Sequence, residues 1–99
     1  MDQMINPLLV FTEIFDTDIK IAIMYLFFLH PTLNCTDIIR STGEKKEKVI
    51  MSLWRLQMDS IVVNNMADDK NCQYSLTENG TASLKVFGQI AAYSQHYLK

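Results

Sequence analysis

The sequence predicts a mainly α-helical domain with a small β-hairpin, in the order α-α-α-α-β-β-α. Two observations carry that prediction. Apolar residues recur at helical spacing in four segments before residue 60 and again after residue 77, each opened by a residue suited to helix capping. Between them, two short runs rich in β-branched and aromatic residues flank a polar Asn/Asp connector, the pattern of a hairpin.

The elements follow in order. Pro7 suits the first turn of a short helix carrying Leu8, Leu9, Val10, Phe11, Ile14 and Phe15. Asp16-Thr17-Asp18 offers a new cap, and the helix over about 18–29 is apolar nearly all round, which predicts a central, buried element. Pro31 ends it, because the residue before a proline avoids helical geometry. A third helix starts after Asn34, with Asp37 placed as in a capping box, and stops at Gly43. A fourth spans 45–58 with a core stripe of Val49, Leu53, Leu56 and Ser60. Strands are expected at Ile61–Asn64 and Gln73–Leu76, joined by 65–72. Thr77 caps a last helix over 78–98.

Ninety-nine residues make one domain, 1–99, without room for a second core. The composition, 48% hydrophobic and 20% charged, is that of a globular chain. The most apolar run, Ile21 to Leu29, falls well short of the roughly 20 residues of a membrane-spanning helix, so no membrane association is expected. A net charge of −2 argues against a strongly electrostatic nucleic-acid binder and requires any basic patch to be local. No signal peptide is recognised, so Cys35 and Cys72 are expected to stay reduced in a cytoplasmic protein.

Two helices joined by a short Gly-containing turn, the second running into a hairpin, describe a winged helix-turn-helix, with the helix-turn-helix at 34–59 and the wing at 61–76. The segment LNCTDIIRSTGEKKEKVIMSLWRLQMDSIV resembles the core of MarR- and ArsR-like winged-helix transcriptional regulators. Leu33, Thr42-Gly43, the stripe Val49, Leu53 and Leu56, and Ile61-Val62 carry the likeness, and the return strand adds Tyr74, Leu76, Thr77 and Gly80. The resemblance covers about residues 18–98. It implies a dimeric regulator that binds double-stranded DNA, docks the 45–58 helix in the major groove and dimerises through terminal helices. There are two departures from the pattern: Glu44 replaces a frequent apolar residue, and the wing carries Asp68-Asp69 beside a single Lys70.

On the outward side of the 45–58 helix, Lys45, Lys46, Lys48 and Arg55 form the densest basic group of the chain and stand as phosphate contacts, with Lys70 on the wing. Glu47, Ile50 and Met51 fall nearest the bases. The same face carries Ile50, Met51, Trp54 and Met58, where a DNA reader usually shows polar groups. Three readings stay open for them: packing on the wing or another helix, docking of a protein partner, or contact with thymine methyls. The last helix has one apolar stripe of Leu84, Phe87, Ala91 and Leu98. A second stripe of Val86, Ile90, Tyr93 and Tyr97 is the candidate homodimer interface. Gly88, near Ala91 and Ala92, points to tight approach by another helix.

No catalytic constellation, metal site or cofactor site is expected. His30 and His96 stand at opposite ends without a motif, His30 as a helix-end residue and His96 facing solvent or an interface. Cys35 lies one position beyond the thiol site of ArsR-like sensors, where Asn34 stands instead, and is expected as a buried structural cysteine. Cys72 is expected to have no ligand neighbour. Gly43, Gly80 and Gly88 are isolated and form no phosphate loop.

Overall fold

The computed structural model describes the backbone of residues 7–68 and 71–97, and the side chains of 11–65, 72–90 and 92. Among these the order is α1 (Pro7–Ile14), α2 (Asp18–Leu29), β1 (Thr32–Asn34), α3 (Cys35–Thr42), α4 (Lys46–Met58), β2 (Val62–Asp68), β3 (Asn71–Leu76) and α5 (Glu78–Tyr97). The fold is a winged helix: mostly helical, with a small antiparallel sheet in the strand order β1-β3-β2.

Local chemistry sets the helix ends where the sequence places them. The Thr17 hydroxyl accepts from the Lys20 N–H at 3.3 Å and opens α2, while His30 caps its end through an N–H donated to the Leu26 carbonyl. Asn34 Oδ1 accepts from the Asp37 N–H at 2.7 Å and opens α3; the Asp37 carboxylate itself lies 3.5 Å from Arg40. Gly43 ends α3 in the left-handed region at φ 69°, donating its N–H to the Ile39 carbonyl. Thr77 opens α5 by accepting from the Gly80 N–H at 3.0 Å. Its own N–H reaches the Ile61 carbonyl at 2.9 Å, and its hydroxyl donates to the Ser60 carbonyl, so one threonine ties the start of β2 to the start of α5.

The structure corrects the sequence reading at four points. A third strand, Thr32–Asn34, pairs with β3 through Thr32–Ser75, Leu33–Tyr74 and Asn34–Gln73. β2 and β3 extend well into the expected connector, paired from Val62–Leu76 to Asp68–Asn71 with an irregularity between Met66 and Asp68. Ser60 is not a core residue: α4 ends at Met58, Ser60 sits exposed at φ 60°, and Ile61, 2% exposed, turns inward instead. α2 is not buried all round. Ile23, Met24 and Phe27 point into the core, whereas Ile21, Tyr25, Phe28 and Leu29 are 42–62% exposed, because neighbours cover only one side of the helix.

One core joins the elements. Phe15, Ile23, Met24, Phe27, Leu33, Ile38, Val49, Leu53, Leu56, Ile61, Val62 and Tyr74 are all buried. Phe11 and Phe15 meet Phe87 of α5 at ring-centre distances of 5.0 Å, so α1 and α5 close the same side. Gly80 approaches the backbone so closely that a Cβ there would lie 2.1 Å from the Ile61 carbonyl oxygen. Gly88 faces the Phe28 ring of α2, which a Cβ would meet at 3.6 Å, an ordinary contact rather than the tight approach expected.

Candidate nucleic-acid interface

Helical periodicity divides α4 into two faces. Val49, Ser52, Leu53 and Leu56 face the core and hold the helix in place. Lys45, Lys46, Glu47 and Lys48 gather at its N-terminal end, all exposed. Lys45 is the N-cap residue and makes no side-chain capping bond, since an ammonium group has no acceptor. Of the first-turn N–H groups, that of Lys48 bonds back to the Lys45 carbonyl at 3.1 Å, while those of Lys46 and Glu47 precede the first helical bond, at the positive end of the helix dipole.

The lysines do not form one undivided patch. Lys48 and Arg55 look toward α2 across an open groove of about 720 Å³ that also holds Asp16, Asp18, Glu44 and Glu47. Arg55 is near enough to Asp16 to help hold its carboxyl below the usual carboxylate range, although the Lys20 hydrogen bond is the larger cause. Lys46 lies on the opposite flank, in a groove shared with Cys35, Ile50, Cys72 and Tyr74. Local basicity is thus strongest at the tip of α4, and acidic side chains accompany it along the α2 side.

Between these flanks the outward face is apolar. Ile50, Met51, Trp54 and Met58 are 46%, 52%, 55% and 67% exposed, so none of the four is buried by the described residues of the wing or of another helix. Glu47, Ile50, Met51 and Trp54 line a shallow depression there. Lys70 lies outside the described residues. On α5, Val86 is half-buried and Ile90 is 45% exposed; the side chains of Tyr93, His96 and Tyr97 lie outside the described set.

Sequence reasoning missed two features. Lys20 is 3% exposed, with its ammonium donating to Asp16 Oδ1 at 2.9 Å and to the Ile14 carbonyl at 3.1 Å. The i,i+4 spacing of Asp16 and Lys20 was the available signal. The second is the two thiols. Cys35 is only partly buried, a correction to the expected buried cysteine, and Cys72 lines the same groove. Burial still pushes the Cys35 thiol up, against the opposing charge of Lys46.

No family model matches the chain, and no curated protein does. Solved structures do. A MarR-family transcriptional regulator from Enterococcus faecalis superposes with a TM-score of 0.82 at 14% identity, over 97% of this chain and 92% of that one. The transcriptional regulator YodB of Bacillus subtilis, in its reduced form, gives 0.79 at 17% identity over 98% and 97%. MepR, a transcription regulator of the multidrug efflux pump MepA of Staphylococcus aureus, gives 0.76 at 19% identity over 87% and 66%. The fold is that of the MarR-like winged helices. Among the described residues, no helix is long and apolar enough to cross a membrane.

Proposed function

We propose that this chain is a DNA-binding transcriptional regulator, working in the cytoplasm as a homodimer, with α4 docked in the major groove. The observation that carries the reading is the exposed N-terminal end of α4, where Lys45, Lys46 and Lys48 stand in solvent on a helix fixed to the core by Val49, Leu53 and Leu56. A helix N-terminus flanked by ammonium groups suits a phosphate backbone passing across it. Glu47, Ile50 and Met51 then lie nearest the base edges, Glu47 suited to accept from cytosine N4 and the apolar pair to meet thymine methyls. Arg55 and Lys70 complete the basic contacts. Dimerisation uses Val86, Ile90, Tyr93 and Tyr97 of α5. The solved structures of the same fold are described as transcriptional regulators, not enzymes, which supports a binding role without catalysis.

Fluorescence anisotropy with a random duplex pool at low salt tests this. Each phosphate contact adds about −0.9 to the slope of log K against log[salt], so three lysines per protomer predict a slope of roughly −5 for the dimer. Replacing Lys45, Lys46 and Lys48 by alanine should remove most of that slope. Absence of duplex binding at micromolar protein would sink the reading.

The exposed apolar face favours a second reading, in which Ile50, Met51, Trp54 and Met58 dock onto another polypeptide. Trp54 fluorescence separates the two. Protection from quencher by DNA supports the first reading; protection by a protein partner and not by DNA supports the second.

A further inference from the structure

The register of the sheet brings the two cysteines together. β1 and β3 pair Leu33 with Tyr74 and Asn34 with Gln73, antiparallel. The last pair, Asn34–Gln73, is immediately followed by Cys35, the first residue of α3, and immediately preceded on β3 by Cys72. The Cα atoms of Asn34 and Gln73, as opposed residues of an antiparallel pair, lie about 4.5–5.5 Å apart, and a disulfide one residue beyond them spans roughly 4.4–6.8 Å. Alternation along β3 places Cys72 on the side of Tyr74. Consistent with this, both thiols and Tyr74 line one groove of about 400 Å³, whose other wall carries Lys46 and Ile50 of α4. Both thiols are free, and neither is sealed in the core.

We infer that Cys35 and Cys72 are a reversible dithiol pair, which closes to an intrachain disulfide by exchange with a low-molecular-weight disulfide. One thiol gives up its proton and attacks a sulfur of the small disulfide, forming a mixed disulfide and releasing one small thiol. The second cysteine then loses its proton and attacks the protein sulfur of that mixed disulfide, and the second small thiol leaves. The two cysteines together give up two electrons and two protons, and the small disulfide is reduced to two thiols. The bond ties the start of α3 to the central strand, across the groove from Lys46 and Ile50. The raised Cys35 thiol lowers its thiolate fraction and slows its attack on the small disulfide near neutral pH. This chemistry stands whether or not α4 binds DNA.

The test uses the whole reduced chain, glutathione disulfide and intact-mass measurement after acid quenching. Closure predicts a product lighter by about 2 Da, with a peptide map joining Cys35 to Cys72 and reversal by dithiothreitol. The thermal midpoint of the bridged chain should rise, because closing the loop restricts the unfolded chain. Cys72→Ser should instead hold a single glutathione on Cys35. Two separate glutathione adducts, a disulfide-linked dimer, thiols that stay unreacted, or a bridged chain that melts below the reduced one would each overturn the proposal. If Cys72→Ser does not fold, the mass of the unmodified sequence still decides.

Discussion

Lys20 places an ammonium group in the wall of the core and satisfies it with the last carbonyl of α1 and a half-exposed carboxylate. Lys20→Met keeps the aliphatic stem but leaves the Ile14 carbonyl without its donor, and should cost about 1–3 kcal/mol in urea unfolding. The Asp16 carboxyl is held below the usual range chiefly by the Lys20 hydrogen bond. A depressed folded pKa stabilises above the ordinary carboxylate value, and that contribution is lost as pH falls through the folded value. Stability of the native sequence should therefore decline in mild acid more steeply than that of Lys20→Met. At the alkaline end the sign reverses. Burial raises both Cys35 and Tyr74, so the folded state keeps protons that the unfolded chain releases. Stability should be intact below the ordinary thiol range, about pH 8.5, and fall as pH rises beyond it. Denaturant midpoints measured from about pH 8 to about pH 10 check this; midpoints that hold or rise would contradict it.

Glycine has two different meanings within α5. At Gly80 an added Cβ would strike the Ile61 carbonyl and lie 2.9 Å from a Leu76 methyl, and backbone cannot yield as a side-chain tip does. Gly80→Ala should destabilise by about 1–3 kcal/mol. Gly88→Ala meets only the Phe28 ring at 3.6 Å, and should gain up to about 1 kcal/mol from helix propensity. Opposite shifts in thermal midpoint for the two variants would confirm the difference. What the sequence made legible at this scale was local. Asn34, Gly43 and Thr77 announce helix ends because caps act over three or four residues. The two faces of α4 were legible because periodicity is a near-neighbour property. β1 was not, since a three-residue strand has no period and its partner lies some forty positions on. The groove that unites Cys35, Cys72 and Lys46 depends on that same long-range pairing, and so escaped the sequence reading as well.

The whole molecule is less drawn in than its length suggests. Its radius of gyration is 14.5 Å, against about 13 Å for a typical domain of 100 residues. Its surface also carries large apolar side chains on α2, α4 and α5. These properties suit a chain that completes its burial by association. The dimer reading predicts that the native sequence elutes at twice the 11.4 kDa chain mass, and that Ile90→Asp shifts it toward one chain with unchanged helicity. A native sequence that is monomeric at high concentration would end that reading. Finally, the strand order β1-β3-β2 has a consequence for how the chain folds. β1 lies just before α3 and β2 just after α4, yet neither pairs with the other; both wait for β3. A nascent chain halted before Asn71 has two orphaned edges and a helix pair with no sheet beneath it. The helix-turn-helix is thus not a separable early fragment, and loop closure by the last third of the chain should be the step that makes folding cooperative. Limited proteolysis of a fragment ending at Asp68 should find it cleaved throughout, where the full chain resists.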